Sequence, residues 1–320
     1  MQVIRNQFSA EYGRASGGRI NIRTRGGTNR YRGRAFMFYK NDNTNANTWY
    51  NNSRGFPRRN FVDYNPGFTF SGPVVLPFGE PGPVYDGHNR TFFFVSYERD
   101  DLRDTTFIDA WVPIAPNPGW NISAPTGPAR FCDNPAATTP PCPAGVGEIG
   151  EYTKSLATPN RTDSMTLRLD HKLFPGNDLT FSYQFGRKRL MRTSSNVPVT
   201  RTDDAIQARR QNTDGFNFSD SQVFGSKVVN QFRFQWSTYK PSFETDDPLA
   251  PVLIIPLYDP QTHATFNLVS GNSTASLGNS NIFADSRTEK RSQFQETLTY
   301  VLGNHTLKGG GDVHKIHSRD

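Results

Sequence analysis

Residues 164–187 read SMTLRLDHKLFPGNDLTFSYQFGR, and this stretch decides the fold class of the chain. Apolar and polar side chains alternate on both sides of a Pro-Gly-Asn turn at residues 175–177. Because successive side chains of a β-strand point to opposite faces, the pattern predicts a hairpin with one apolar and one polar face. The apolar face carries Leu167, Leu169, Phe181 and Tyr183, and the polar face carries Arg168, Asp170 and Gln184. Either a protein core or lipid could cover the apolar face.

The composition of the whole chain favours strands and loops over helices. Only 34% of the 320 residues are hydrophobic, yet 13% are aromatic, and 27 Gly and 23 Pro supply many turns. The sequence holds no apolar run of about eighteen residues, so it predicts no transmembrane helix. A transmembrane β-barrel stays open, because the strands of a barrel carry only half of that apolar signal.

The charge and the motifs of the chain argue against several classes of function. The formal net charge is +7, but Lys and Arg are dispersed and no nucleic-acid motif occurs, so we expect no nucleic-acid partner. The motifs of serine hydrolases, zinc proteases, P-loop enzymes and dithiol proteins are also missing. We therefore expect no enzyme, no cofactor and no metal site. Asp312 and His314 share a strand face, and a polar lumen explains them better than a metal does.

Short and long connections alternate along the chain between segments of period-two alternation. These further segments are residues 32–39, 67–72, 91–99, 215–224, 228–238 and 294–302, and a last one begins near Thr306. The long connections span 41–62, 101–162, 188–213 and 239–292, and the short ones span 174–178, 225–227 and 303–305. Outer-membrane barrels have short turns on one rim and long loops on the other, whereas a sandwich does not require loop length to alternate along the chain. The pattern predicts antiparallel transmembrane strands of about nine to eleven residues each.

The N-terminal 40 residues carry a run of spaced motifs. The run contains Glu11-Tyr12-Gly13-Arg14, then Gly17-Gly18, then Asn21, and then Gly27-Thr28-Asn29. It resembles the plug-to-barrel junction of TonB-dependent outer-membrane receptors, and it is most similar to the Oar-like subgroup, whose members often carry an upstream carboxypeptidase-regulatory-like domain. The resemblance implies the end of a plug domain at residues 1–29. It also implies the N-terminal part of a plugged barrel of about twenty-two strands at residues 30–320.

The predicted fold is therefore all-β, an incomplete antiparallel barrel segment of about nine strands. Within the junction we expect a sharp bend at Gly17-Gly18, a short plug strand at Ile20–Ile22, and a turn with positive φ at residues 26–29. Cys132 and Cys142 flank a Pro-rich loop, which predicts a local disulfide in an oxidising compartment. The first residues show no signal peptide and the last stop inside an element, so we expect an internal fragment of a longer chain.

The resemblance implies import of a scarce, bulky ligand across the outer membrane of a Gram-negative cell. The expected partners are outer-membrane lipid, an unknown extracellular ligand and the inner-membrane TonB complex, which would act through an upstream plug and TonB box. The long loops would be extracellular and the short turns periplasmic. Two alternatives remain open at this point. One is a non-transporting outer-membrane adhesin or surface receptor, and the other is a soluble glycan-binding sandwich that buries Leu167, Phe181 and Phe234 between two sheets.

Overall fold

Strands make up nearly all of the regular structure in this computed structural model. The structure describes residues 2–5, 18–21, 24–53, 55, 57–76, 84–113, 126–127, 129–132, 148–191, 206–244, 252–256, 274–278 and 285–319. The helical elements are a 3-10 turn at Asp42–Thr44 and the five-residue helix α1 at Trp49–Ser53. Within the described ranges, no helix is long and apolar enough to cross a membrane.

The described residues form eighteen strands in chain order. They are β1 (Gln2–Arg5), β2 (Gly18–Asn21), β3 (Arg32–Asn41), β4 (Phe61–Pro73), β5 (Val75–Leu76), β6 (Tyr85–Asp86), β7 (Thr91–Pro113), β8 (Ala129–Cys132), β9 (Glu148–Ala157), β10 (Asn160–His171), β11 (Asn177–Met191), β12 (Ala208–Phe224), β13 (Val228–Glu244), β14 (Val252–Pro256), β15 (Thr274–Gly278), β16 (Asp285–Ser286), β17 (Thr288–Leu302) and β18 (His305–Arg319).

One antiparallel sheet contains most of these strands. Its nine main strands pair in chain order: β3, β4, β7, β10, β11, β12, β13, β17 and β18. Strand β9 pairs with the far end of β7, β8 pairs with β9, and β16 pairs with β13. In the part of the chain that the structure describes, β3 and β18 are paired on one side only, so the sheet does not close. The all-β, antiparallel fold with about nine main strands is confirmed.

The strand register sorts the side chains of this sheet onto two chemically different faces. Directly opposite residues share a face, and one such rung across six strands is formed by Phe70, Val95, Leu167, Tyr183, Phe216 and Trp236. Aromatic contacts continue along the same face, with ring centroids 4.9 Å apart for Phe181–Phe218 and for Phe234–Phe294. We call this side the apolar face and the opposite side the polar face.

No second layer of the described structure covers the apolar face. Leu167 is 39% exposed, Leu169 is 38% exposed and Phe294 is 48% exposed. A sandwich would bury these side chains between two sheets, so the soluble-sandwich alternative is wrong. A continuous apolar surface of this extent requires an external apolar phase or partner.

Glycine residues close the tight turns at one end of the sheet. Gly176 has φ +85° and follows Pro175, and the Asn177 N–H donates to the Phe174 carbonyl over 3.0 Å. Proline followed by a residue with positive φ is the signature of a type II turn, so the predicted turn is confirmed. Gly225 and Gly303 have φ values of +61° and +59° in the next two turns at this end.

The strands are longer than the nine to eleven residues predicted from the sequence. Strand β7 has 23 residues, β12 and β13 have 17 each, and β11 has 15. The predicted long connection at residues 101–162 therefore holds the end of β7 together with β8 and β9. The strand ends are rich in charged residues and lack apolar alternation, but backbone hydrogen bonding continues through them, because a ladder does not require an apolar face.

Candidate functional site

The polar face carries Arg168, Asp170 and Gln184, as the sequence predicts for the hairpin. The register places Arg233, Gln235, Gln295 and Thr297 on the same face, which completes the set. Several members bond to each other or to neighbours of the same kind: Arg233 Nη1 donates to Gln295 over 3.4 Å and Arg233 Nη2 donates to Gln231 over 3.2 Å. These side chains form a polar surface on the side of the sheet opposite the aromatic rungs.

Arg168 is the most enclosed charged member of that set. Its side chain is 10% exposed and its Nη2 lies 2.7 Å from Asp170 Oδ1, while its Nε lies 2.9 Å from Asp170 Oδ2. The Thr180 hydroxyl also donates to Asp170 Oδ1 over 2.8 Å. Asp170 therefore fixes the plane of the guanidinium group and leaves Nη1 available for another acceptor.

That acceptor comes from the segment that precedes the first barrel strand. Arg168 Nη1 donates to the Thr24 carbonyl over 2.9 Å and to the Thr24 hydroxyl over 3.0 Å. A Cβ atom at Gly26 would lie 2.8 Å from Asp170 Oδ2, and one at Gly27 would lie 2.5 Å from the Phe93 carbonyl oxygen. Residues 24–27, which we call the docked segment, therefore lie directly against the polar face.

The glycines of the docked segment serve close packing and not a left-handed turn. The prediction of positive φ at residues 26–29 is wrong, because the described residues with positive φ are Asn89, Gly55, Gly176, Gly225 and Gly303. Gly26 and Gly27 instead remove the side chains that would collide with Asp170 and with the backbone of β7. Glycine permits such close backbone approach as well as unusual dihedral angles.

A second contact holds the chain just before β3. The Asn89 N–H donates to Asn29 Oδ1 over 2.7 Å, and the two amide side chains also bond to each other. Asn89 has φ +61°, a conformation that asparagine tolerates well. In the same connection, the His88 N–H and the His88 ring bond the Asp86 carboxylate, which lowers the pKa of Asp86. Asn29 is thus a structural anchor between the junction and the turn before β7.

The remaining predicted site residues fall partly outside the described structure. Glu11, Tyr12, Gly13, Arg14 and Gly17 lie outside the described residues. Gly18 and Asn21 begin and end β2, whose register pairs them with Arg5 and Gln2 of β1, so a short strand occurs where the sequence predicts one. Cys132 ends β8 and Cys142 lies outside the described residues, so their disulfide stays a prediction.

Asp312 and His314 lie together on the polar face of β18. His314 Nε2 is 2.9 Å from Asp312 Oδ1, Gln293 donates to Asp312 over 3.0 Å, and Arg291 lies 2.8 Å from His314 Nδ1. Among the described residues, no group of three potential metal ligands occurs. The nearest neighbours of this pair are an amide and a guanidinium, which extend the hydrogen-bond network of the polar face.

Comparison with known families now fixes what the two faces contact. Residues 23–320 match the family described as outer membrane beta barrel domain. The chain belongs to this family. An outer-membrane barrel turns its apolar side to lipid and its polar side to the interior, so Leu167 and Phe181 face acyl chains and Arg168 faces the lumen. No curated protein and no solved structure matches the chain.

The family assignment also locates the docked segment in the barrel. The match begins at residue 23, directly before Thr24, so the docked segment lies within the matched residues. Because the docked segment contacts Arg168 and Asp170, it lies on the lumen side of the outer-membrane sheet. Sequence reasoning placed Arg168 in the lumen but missed its contact with Thr24, which lies 144 residues away in the chain.

Proposed function

We propose that this barrel belongs to a TonB-dependent transporter, of the Oar-like subgroup, that imports a scarce and bulky ligand. In this proposal the long connections are extracellular and capture the ligand, and the short turns are periplasmic. In this proposal residues 1–29 are the end of a plug domain, which occupies a lumen of about twenty-two strands, a size that holds a plug. The TonB complex of the inner membrane pulls on that plug and opens a path.

The docked segment is the observation that carries the proposal. The chain approaches β3 along the lumen side of the sheet, and this approach supports a plug that lies in the lumen. The bonds to Thr24 are hydrogen bonds from one guanidinium group, so a pulling force can break them and they can form again.

The chemistry of the polar face supports passage of a hydrophilic ligand. Amide, hydroxyl and guanidinium groups line the polar face, as in the rung formed by Arg168, Ser182, Asn217, Gln235 and Gln293. Such groups offer both donors and acceptors to a polar solute and stay hydrated when no solute is present. Siderophores, glycans, peptides and vitamins all fit this description.

Uptake measurements test the proposal. The full-length protein is produced in a Gram-negative host lacking its own receptors, with and without TonB, and the accumulation of a labelled panel of siderophores, oligosaccharides, peptides and cobalamin is measured. We expect at least one panel member to accumulate only when TonB is present. Accumulation that is equal in the two strains contradicts the transporter mechanism. Surface binding without uptake in both strains favours the alternative of a non-transporting adhesin or surface receptor.

Arg168→Gln is expected to release the docked segment. The substitution removes charge-assisted hydrogen bonds to Thr24, each worth about 1.5–3 kcal/mol, so the undocked population should rise roughly tenfold or more. A Thr24→Cys variant keeps the backbone carbonyl, and the rate of its labelling by a polar thiol reagent reports the undocked population. Labelling of the native cysteines is measured in a sample without Thr24→Cys and is subtracted.

Arg233→Gln is the matched control for that measurement. Arg233 is a lumen-side arginine that donates hydrogen bonds to Gln231 and Gln295 and not to the docked segment. Its replacement removes the same charge from the same face and should leave the labelling rate at residue 24 unchanged. Equal labelling rates in Arg168→Gln and in the parent protein would show that Arg168 does not hold the segment.

A further inference from the structure

Three arginines form a continuous rung on the lipid-facing side of the sheet. Arg161 of β10 is directly opposite Arg189 of β11, and Arg189 is directly opposite Arg210 of β12. Their positions have the same parity as Leu167, Tyr183 and Phe216, so all three belong to the apolar face. They lie at the end of the sheet that carries the long connections. Like charges directly opposite each other destabilise a strand pair, so this arginine rung needs a physical explanation.

The carboxylates near the arginine rung do not balance its charge. Arg210 Nε bonds Glu244 over 2.9 Å, and Asp101, opposite Arg161 on β7, lies 3.8 Å from Arg103. Arg189 is exposed and has an arginine directly opposite it on each neighbouring strand. Within the described part of the chain, it forms no hydrogen bond or ion pair. The centre of the rung is therefore an uncompensated positive site.

Asp163 is the carboxylate nearest to Arg161, and other groups already engage it. Arg161 Nε is 3.9 Å from Asp163 Oδ2, which is beyond hydrogen-bonding distance. Arg99 Nε donates to Asp163 over 2.7 Å, and the Tyr97 hydroxyl donates to it over 2.6 Å. Asp163 thus neutralises Arg99 and has little capacity left for the arginine rung.

The arginine rung lies directly beyond the level at which the apolar band ends. The Tyr183 hydroxyl donates to Asp214 over 2.7 Å and Arg187 bonds the same carboxylate over 2.7 Å. This arrangement repeats that of Tyr97, Arg99 and Asp163 on the neighbouring strands. Tyrosines whose ring lies on the apolar face and whose hydroxyl is hydrogen-bonded are typical of the boundary between acyl chains and headgroups. The arginine rung is therefore at headgroup height.

We propose that the arginine rung binds the phosphate groups of an outer-leaflet glycolipid whose acyl chains lie on the apolar face. Neighbouring strands are about 4.8 Å apart, so two adjacent guanidinium groups can share one phosphate. Arginine is suited to this role because its planar fork matches the oxygens of a phosphate and stays charged. A bound phosphate also relieves the repulsion between the three side chains. A lipid is the occupant because the arginine rung continues the surface that already contacts lipid.

This proposal rests on the orientation in the proposed function, in which the long connections are extracellular. Purified full-length protein in detergent is mixed with a diphosphorylated lipid A-type glycolipid or with its dephosphorylated form, and the bound lipid is measured by native mass spectrometry. We expect the phosphorylated form alone to bind. Arg189→Gln should weaken binding about fivefold, from the contribution of one basic residue near a lipid surface. The triple variant R161Q/R189Q/R210Q should weaken binding by more than twentyfold.

Lys188→Gln is the matched control, because Lys188 is adjacent to Arg189 in sequence and lies on the polar face. It removes the same charge and should leave binding unchanged. Unchanged binding by the triple variant, an equal loss in Lys188→Gln, or equal binding of the dephosphorylated glycolipid would overturn the proposal. Displacement of the glycolipid by millimolar inorganic phosphate would also overturn it, since the site would then be a free-anion site. Heat-modifiable mobility on electrophoresis verifies that each variant is folded.

An epitope tag inserted between residues 192 and 205 separates this proposal from the proposed function. If antibody reaches the tag on intact cells, the result supports the extracellular orientation. Unchanged glycolipid binding by the triple variant would then overturn only the proposal that the arginine rung binds the glycolipid. A tag that antibody reaches only after the outer membrane is opened overturns the orientation itself. The TonB-dependent uptake assay does not depend on either result.

Discussion

Phe181→Arg is expected to lower the free energy of unfolding of the barrel by about 2–4 kcal/mol, the range for arginine near the bilayer midplane. Phe181 lies in the middle of the apolar face, with its ring 4.9 Å from that of Phe218 and Leu169 directly opposite on β10. An arginine there must either leave its charge among acyl chains or distort the lipid around it. Urea titration of the protein folded into lipid vesicles, followed by tryptophan fluorescence, measures the change.

Gln184→Arg provides the control on the polar face of the same strand. Gln184 is opposite Gly215, and a Cβ atom at Gly215 would meet nothing within 4 Å, so a longer side chain has room. A charge here stays in contact with lumen water, and we expect the unfolding free energy to change by less than about 0.5 kcal/mol. If the two arginine variants lost equal stability, the assignment of the faces to lipid and lumen would be wrong.

Gly27→Val is expected to shift the docked segment toward its undocked state. A Cβ atom at Gly27 would lie 2.5 Å from the Phe93 carbonyl oxygen and 3.0 Å from the Gly72 carbonyl oxygen. Both atoms belong to the backbone of paired strands, so they cannot move aside as a flexible side chain could. Overpacking of this kind costs about 1–3 kcal/mol, so the undocked population should rise roughly fivefold or more. The rate at which Thr24→Cys is labelled by a polar thiol reagent should rise by the same factor.

Gly215→Val serves as the matched control for that experiment. It adds the same side chain to the lumen side of β12, where the structure has open space. We expect it to leave the labelling rate of Thr24→Cys unchanged, and valine suits a strand better than glycine does. A Thr24→Cys labelling rate in Gly27→Val equal to that of the parent protein would contradict the close packing described here.

The sequence was sufficient for the parts of the fold that local physics determines. Period-two alternation across residues 164–187 predicted the hairpin, because the side-chain period of a strand is independent of what lies beyond it. Pro175 and Gly176 predicted the turn, and a turn of known length fixes the register of the strands on either side. The turn therefore also determines that Arg161 lies directly opposite Arg189. The alternation of apolar and polar residues does not by itself indicate this pair.

The sequence was insufficient wherever the determining contact is non-local or the signal is polar. The end of β7 runs through charged residues such as Asp100 and Arg103, which have no apolar alternation, so the strand was predicted to end too early. The contact of Arg168 with Thr24 depends on how the docked segment crosses the sheet, and no spacing in the sequence reports that path. Gly27 was expected to supply a backbone angle, but its neighbours Phe92 and Phe93 come from another strand.

The chain-order pairing of the nine main strands has a consequence for how the sheet is built. Each main strand pairs with the main strand that precedes it in the chain. The sheet can therefore be extended at one edge, and no main strand has to be inserted between two others. The insertion between β13 and β17 does not interfere, because β14 and β15 pair with each other. Sequence can thus be gained or lost between neighbouring strands without changing the order in which the barrel grows.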